Sequence, residues 1–166
     1  MNASPAAACV FRETVAPSDR EAVRRIVASS GFFTGPEIDV AVELVDERLA
    51  KGPASGYHFI FAEREGKAIG YSCFGPIACT VSSYDLYWIA VEEEARGLKL
   101  GTVILERSEE AIRKLGGTRV YVETSARPLY EPTRRFYEKC GYRQETVLAD
   151  FYAPGDGKVI YVKAVG

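Results

Sequence analysis

The chain has one histidine, one methionine and one tryptophan in 166 residues. Chemistry that relies on several histidines is thereby excluded, including most catalytic zinc sites. The four cysteines, Cys9, Cys73, Cys79 and Cys140, contain no C-x-x-C pair and fit no zinc spacing. They read as free thiols of a cytoplasmic protein, with no metal implied. No apolar run reaches the roughly 18 residues that a membrane-spanning helix needs. The first residues, MNASPAAACVF, lack the basic start and long apolar stretch of a signal peptide. Basic excess is missing too: 21 Lys and Arg against 23 Asp and Glu leave a net charge of −2, which speaks against a nucleic-acid partner. There is no internal repeat and no low-complexity linker.

What remains is ordinary globular composition, 47% hydrophobic and 27% charged. A chain of this length is expected to form a single domain, residues 1–166, with its own core. Residues 9–15 read as a strand. Ser18 and Glu21 form the S-x-x-E pattern of a capping box, opening a helix to about Ser29 with Ala22, Val23, Ile26 and Val27 on its apolar face. Pro36 suits a first helical position, and Ile38, Ala41, Val42, Val45 and Leu49 recur at helical spacing to about Ala50. Strands follow at 57–63, 68–74 and 84–91, the first two joined by Glu65-Gly66-Lys67 as an antiparallel hairpin. A helix after Gly101 carries Leu100, Val103, Ile104, Ala111 and Leu115 on one face, and Gly116-Gly117 stops it. A strand at 118–124, a short helix from Pro132 to Lys139, and strands at 142–152 and 158–163 complete the chain. The order is β-α-α-β-β-β-α-β-α-β-β, a mixed α/β sheet with a β-α-β unit at its centre.

The most informative stretch is Asp85 to Gly101, DLYWIAVEEEARGLKLG. An apolar strand enters an acidic turn, then Arg96-Gly97-Leu98-Lys99-Leu100-Gly101, then a long amphipathic helix. The first amides of a helix have no intrahelical partner, and the helix dipole favours negative charge there. Such a turn suits the pyrophosphate of a nucleotide-derived cofactor. An ordinary strand–helix connection, with glycines only for tightness, is the competing reading. Neither a Rossmann G-x-G-x-x-G nor a P-loop is present.

Some 35 residues downstream stands Phe136-Tyr137-Glu138-Lys139-Cys140-Gly141-Tyr142. The R-x-x-x-x-G turn followed by this F-Y-x-x-x-G-Y helix resembles the GCN5-related N-acetyltransferase (GNAT) superfamily, and the element order matches that fold along essentially the whole chain. The resemblance implies acetyl-CoA as cosubstrate. It places the backbone of Arg96, Gly97, Leu98, Lys99, Leu100, Gly101 and Thr102 at the pyrophosphate, and the strand edge Ile89-Ala90-Val91 along the pantetheine arm, where the fourth and fifth strands splay apart. Lys99 stands where the family usually has glycine, a residue that permits φ > 0 or close backbone approach. The family's frequent asparagine is Tyr130 here. Arg134 or Arg135 could reach the cofactor's phosphates, or simply be solvated.

Aminolysis of a thioester needs a neutral amine, a stabilised oxyanion and a proton for the leaving thiolate. By resemblance Tyr137 sits near the thioester sulfur, and a phenol of pKa about 10 can protonate a thiolate of pKa about 8.5. Packing on the sheet is the plainer role for such an aromatic. Asp85, eleven positions before Arg96, holds the place of a glutamate base in histone-modifying members. An unperturbed aspartate is a poor base, so it would need desolvation or a water relay. An ordinary polar strand residue is the alternative. Glu123 is the competing carboxylate, as base or as partner of an acceptor's ammonium.

The acceptor is expected opposite the cofactor, beside the loop Gly31-Phe32-Phe33-Thr34-Gly35. Phe32 and Phe33 could form a mobile apolar lid or staple the two helices to the sheet. By the strand period of two, Asp85, Tyr87 and Ile89 share one face and Trp88 packs under a helix on the other. An acyl-cysteine route through Cys140 is conceivable. The function implied is acetyl transfer to a small primary amine, such as an amino acid including D-alanine, a polyamine or an amine-bearing antibiotic. A protein N-terminus or lysine is the alternative acceptor. From another class, a non-catalytic acyl-CoA sensor would keep the same fold. Exposed faces of the last strands could pair two chains as a homodimer.

Overall fold

The structure, a computed structural model, describes residues 8–166; the start of the stretch read for a signal peptide, residues 1–7, lies outside them. Among the described residues seven strands and four α-helices follow one another as β1 (Val10–Arg12), α1 (Asp19–Ser29), α2 (Gly35–Lys51), β2 (His58–Arg64), β3 (Lys67–Pro76), β4 (Ser83–Val91), α3 (Leu100–Lys114), β5 (Arg119–Ser125), α4 (Glu131–Lys139), β6 (Arg143–Ala153) and β7 (Asp156–Ala164). This is the mixed α/β order expected from the sequence. No helix of the described residues is long and apolar enough to cross a membrane. The chain forms two compact units: residues up to Gly75 with Trp88–Glu110, and Pro76–Tyr87 with Ala111–Gly166.

In the first unit the strand order is β1-β2-β3, antiparallel throughout. Glu65 and Gly66 connect β2 to β3 with φ of 53° and 77°. Two left-handed residues in a two-residue loop match the twist of the flanking strands. Ala22, Val23, Ile26 and Val27 of α1 and Ala41, Val42 and Val45 of α2 pack with Phe59, Phe61, Tyr71 and Cys73 of β2 and β3. Each stripe follows the helical period, and each large side chain buried there stabilises the fold by about 1.5–3 kcal/mol. On α3, Leu100, Ile104 and Leu105 are buried. The Ser108 hydroxyl pairs with that of Ser72 at 2.6 Å, both of them buried.

The helix entries differ from expectation. Ser18 is already in helical geometry (φ −64°, ψ −16°) and makes no side-chain cap bond. With that backbone its hydroxyl no longer faces the first-turn amides. Asp19, the first helical residue, ties down the chain that leads into the helix. Its carboxylate, 1% exposed, accepts the Ala16 amide at 2.8 Å and two hydrogen bonds from the Arg12 guanidinium at 2.8 and 2.6 Å. Arg12 also donates to the Thr14 carbonyl, so β1 ends early and the chain turns towards α1 well before residue 15. Capping chemistry appears at α2: the Glu37 carboxylate accepts from the Thr34 amide at 2.7 Å and hydroxyl at 3.0 Å.

In the second unit the strand order is β4-β5-β7-β6. The parallel register of β4 with β5 covers Ser83–Asp85 against Arg119–Tyr121 and goes no further among the described residues. β5 pairs with β7 antiparallel from Arg119↔Ala164 to Ser125↔Lys158. Pro154 and Gly155 turn β6 into β7. The β6–β7 register breaks between Leu148 and Ala153, where four residues of β6 face Gly157 alone. β6 is exposed along its length. One face of β5 and β7 is dry: Val120, Val122, Val159 and Tyr161 are buried there. Leu115, expected on the apolar face of α3, lies past that helix's end and is half exposed; the Gly117 amide closes the helix on Ile112 at 2.8 Å.

Candidate functional site

The first group of residues surrounds the strand–turn–helix after β4. Gly70 of β3 lets the backbone of Ala90 come close: a Cβ there would meet the Ala90 carbonyl at 3.3 Å and Ile104 at 2.9 Å. β4 ends at Val91, and the Glu92 amide donates to the Ile69 carbonyl at 2.8 Å. The buried Glu92 carboxylate meets Arg25 Nε at 3.1 Å and Lys67 Nζ at 3.2 Å. Burial opposes its ionisation, but the hydrogen bonds from Lys67 and Arg25 outweigh burial and hold its pKa below the usual carboxylate range. The root of the turn is thus anchored to α1 and β3.

Beyond a single 3₁₀ turn, Glu93–Ala95, the chain extends at Arg96. Gly97 and Lys99 then take φ of 82° and 58°, and α3 begins at Leu100. Lys99 therefore adopts the left-handed conformation that glycine would adopt freely, at a cost of about 1–2 kcal/mol for a residue with a Cβ. The amides of Leu100, Gly101 and Thr102 open the helix without intrahelical acceptors, and Val103 closes the first turn on the Lys99 carbonyl at 3.3 Å. The Arg96 guanidinium donates to the Ser30 carbonyl at 3.4 Å and lies 5.7 Å from the centroid of Phe32. Phe33 stands edge-on to Trp88 at 4.9 Å, and both pack against the α1–α2 core. Trp88 thus lies under a helix, as its position in β4 suggested. Phe32 and Phe33 are both half-buried.

The second group lies on one face of β4, β5 and β7. Asp85 is opposite Tyr121, and Ser125 is opposite Lys158. Side chains alternate, so Asp85, Tyr121, Glu123, Ser125, Lys158 and Ile160 point the same way. Unlike the other face, this one carries charge. Lys158 Nζ meets Glu123 Oε2 at 2.7 Å and lies 3.6 Å from the centroid of Phe151. Its side chain is 11% exposed and that of Glu123 47%. Asp85 is half-buried; burial first, and then the negative charge of Glu123, push its pKa up, while Lys158 draws it down. Ser125 donates to Asp156 at 2.5 Å, and Arg127 Nε meets Asp156 at 3.3 Å. Tyr87 is exposed.

Tyr137 lies on the dry face. Its ring packs 6.1 Å from Tyr161 and 5.7 Å from Tyr142, and burial, with Cys140 beside it, pushes its phenol well above the usual range. Tyr161 alternates with Ile160, so the phenol and the Asp85–Glu123–Lys158 cluster sit on opposite faces of this sheet. Arg134 Nη1 donates to the carbonyls of Ser125 at 2.8 Å and Arg127 at 2.9 Å, tying α4 to the end of β5.

The acetyltransferase (GNAT) family profile matches residues 21–142, from α1 to the residue before β6. The chain belongs to the GNAT family. A GNAT-family acetyltransferase of known structure from Desulfovibrio desulfuricans is 48% identical, with a TM-score of 0.94 over 96% of this chain and all of that one. An N-alpha-acetyltransferase of Sulfurisphaera tokodaii is 30% identical over 59% of this chain, and the match spans 64% of that protein's own length. An aminoglycoside 6′-N-acetyltransferase complexed with coenzyme A shares the fold at 19% identity, with a TM-score of 0.77 over 95% of this chain and 97% of its own.

Within this GNAT frame the sequence pointed to the turn, Asp85, Glu123 and Tyr137, but not to Glu92 or Lys158. Glu92 is hidden in the run Glu92-Glu93-Glu94, of which it alone is buried. Lys158 meets Glu123 only through the β5–β7 register, and no local spacing announces that.

Proposed function

We propose that this GNAT protein, acting as one domain, transfers the acetyl group of acetyl-CoA to the primary amine of a small acceptor by direct attack in a ternary complex. The turn from Arg96 to Thr102 carries this reading. Two left-handed residues, Gly97 and Lys99, lead into the unpaired amides of α3, the anion-binding form that a pyrophosphate needs. Lysine at 99 keeps its amide and adds a positive charge near the phosphates. A same-fold enzyme is complexed with coenzyme A, which favours acetyl-CoA as the donor. The pantetheine arm is assigned to the edge of Ile89-Ala90-Val91, in a strand whose register with β5 ends at Asp85.

In the reaction the amine nitrogen forms the new bond to the thioester carbonyl carbon, and the carbon–sulfur bond breaks. Asp85, desolvated enough to hold a proton better than a free aspartate, takes the proton from the acceptor's ammonium, directly or through water, and passes it to solvent, leaving the neutral amine to attack. Tyr137, whose phenol stays protonated at neutral pH, gives a proton to the leaving thiolate from the face opposite Asp85, the thioester being assigned to the β4–β5 edge beyond Asp85 where their register ends, and recovers a proton from solvent. Glu123 orients the acceptor. Phe32, Phe33 and Tyr87 are assigned to the acceptor's side. Arg134 acts on the cofactor only through the β5 end that it fixes.

The Tyr137→Phe variant tests this. The transferase reading expects a fall in kcat of about 10²-fold or more with acetyl-CoA binding retained, seen as an unchanged ligand-induced rise in melting temperature. A non-catalytic acyl-CoA sensor would be indifferent to the change. Acetylation of basic peptides in preference to small amines would shift the acceptor to a protein N-terminus or lysine.

A further inference from the structure

Lys158 is a largely buried lysine, its side chain 11% exposed. Lysines are rarely this buried unless paired, and the pair's carboxylate, Glu123, is 47% exposed, so the pair contributes only modest net stability. Here the ammonium contacts Glu123 at 2.7 Å, lies on the Phe151 ring at 3.6 Å and acts on Asp85 across the same face. It occupies a setting built for an ammonium: carboxylate beneath, aromatic above. The aromatic cover lies where the β6–β7 register breaks, with Phe151 edge-on to Tyr152 at 5.1 Å. Phe151 is 51% exposed and belongs to the four residues that face Gly157 alone, and Asp150 before it has φ of 53°.

We propose that Lys158 selects the acceptor: an amine that carries a carboxylate on the adjacent carbon, the head of an α-amino acid, rather than a polycationic amine. This rests on the N-acetyltransferase reading. Glu123 is already paired with Lys158, so each amine of a polyamine or aminoglycoside meets an ammonium of its own sign beside that carboxylate. A zwitterionic head exchanges with the internal pair. Its ammonium takes the half-exposed Glu123 beside Asp85, and its carboxylate takes the Lys158 ammonium once the Phe151 ring swings aside. The charge count of the face is unchanged by the exchange, so neither Lys158 nor Glu123 is left without an opposite charge.

The test compares kcat/KM for α-amino acids of both hands, their amides, spermidine and an aminoglycoside, using the full chain with acetyl-CoA. The wild type is expected to prefer an acid over its own amide by tenfold or more. Lys158→Met is expected to bring that ratio to within about twofold through the KM of the acid, with the acetyl-CoA-induced melting shift kept. Lys158→Arg is expected to retain the preference, and it carries the test if the methionine variant does not fold. A wild type that prefers amides or polycations, or a ratio unchanged in Lys158→Met, overturns the proposal. Acetyl-CoA binding without acetylation of any amino acid overturns it too, and leaves the transferase reading in place. No binding of acetyl-CoA at all defeats that reading first.

Discussion

Replacing Glu92 with glutamine should both destabilise the protein and weaken acetyl-CoA binding, because this carboxylate anchors the root of the 96–102 turn. Its side chain is 12% exposed, against 35% for Arg25 and 54% for Lys67. The network is therefore intermediate between an exposed bridge, worth about 0–1 kcal/mol, and a buried pair, about 3–5 kcal/mol to break, so a cost of about 1–3 kcal/mol is expected. For a chain of this size each kcal/mol moves the melting temperature by about 2–4 °C, which gives a fall of about 2–12 °C. The pH dependence has a definite sign. The folded pKa of Glu92 is depressed, so its contribution is present above the unfolded value of about 4.3 and is lost as pH falls through the folded one. Melting curves from about pH 3 to 7 should therefore show a shallower acid limb for Glu92→Gln than for the wild type. The rise in melting temperature on adding acetyl-CoA should also shrink. A variant that melts within about 1 °C of wild type, with the same acid limb and the same ligand shift, would refute the anchoring role.

Two other changes separate function from packing. The Tyr71 hydroxyl is fully buried with no hydrogen-bond partner among the described residues, so Tyr71→Phe should be neutral or stabilising by up to about 1–3 kcal/mol in urea unfolding; a clear loss would show that the hydroxyl is satisfied. Asp85 has a raised folded pKa, so the stability associated with its protonated form is lost as pH rises from about 3.9 through the folded value. At neutral pH Asp85→Asn should therefore melt higher than wild type while transferring acetyl groups more slowly, with the corresponding acid limb gone from its pH–rate profile. Full activity in that variant would assign the proton to Glu123 or to water.

The element order was legible because the pattern changes period at glycine and proline: Glu65-Gly66, Pro36, Gly116-Gly117 and Pro154-Gly155 all mark real boundaries. The turn at 96–102 was legible as well, and Lys99 shows why a missing glycine did not abolish it. The backbone takes the left-handed form regardless, and the surrounding turn supports the strain. The capping pattern occurs twice in the chain, and the backbone decides which copy acts. Ser18-x-x-Glu21 and Thr34-x-x-Glu37 look alike in sequence, but only Thr34 has the extended backbone that a cap requires. The charged face of the second unit was half legible. Asp85 and Glu123 could be named singly, whereas their meeting with Lys158 depends on the strand registers, which nothing local encodes.

The most direct measurement is thiol release from acetyl-CoA by the purified full chain, with and without a panel of small amines, amino acids of both hands and basic peptides. Amine-dependent release, with the acetylated acceptor recovered in equal amount, is the predicted result. Acetyl-CoA that neither shifts the melting temperature nor yields free thiol with any acceptor would contradict the assignment of the 96–102 turn and the transferase built on it.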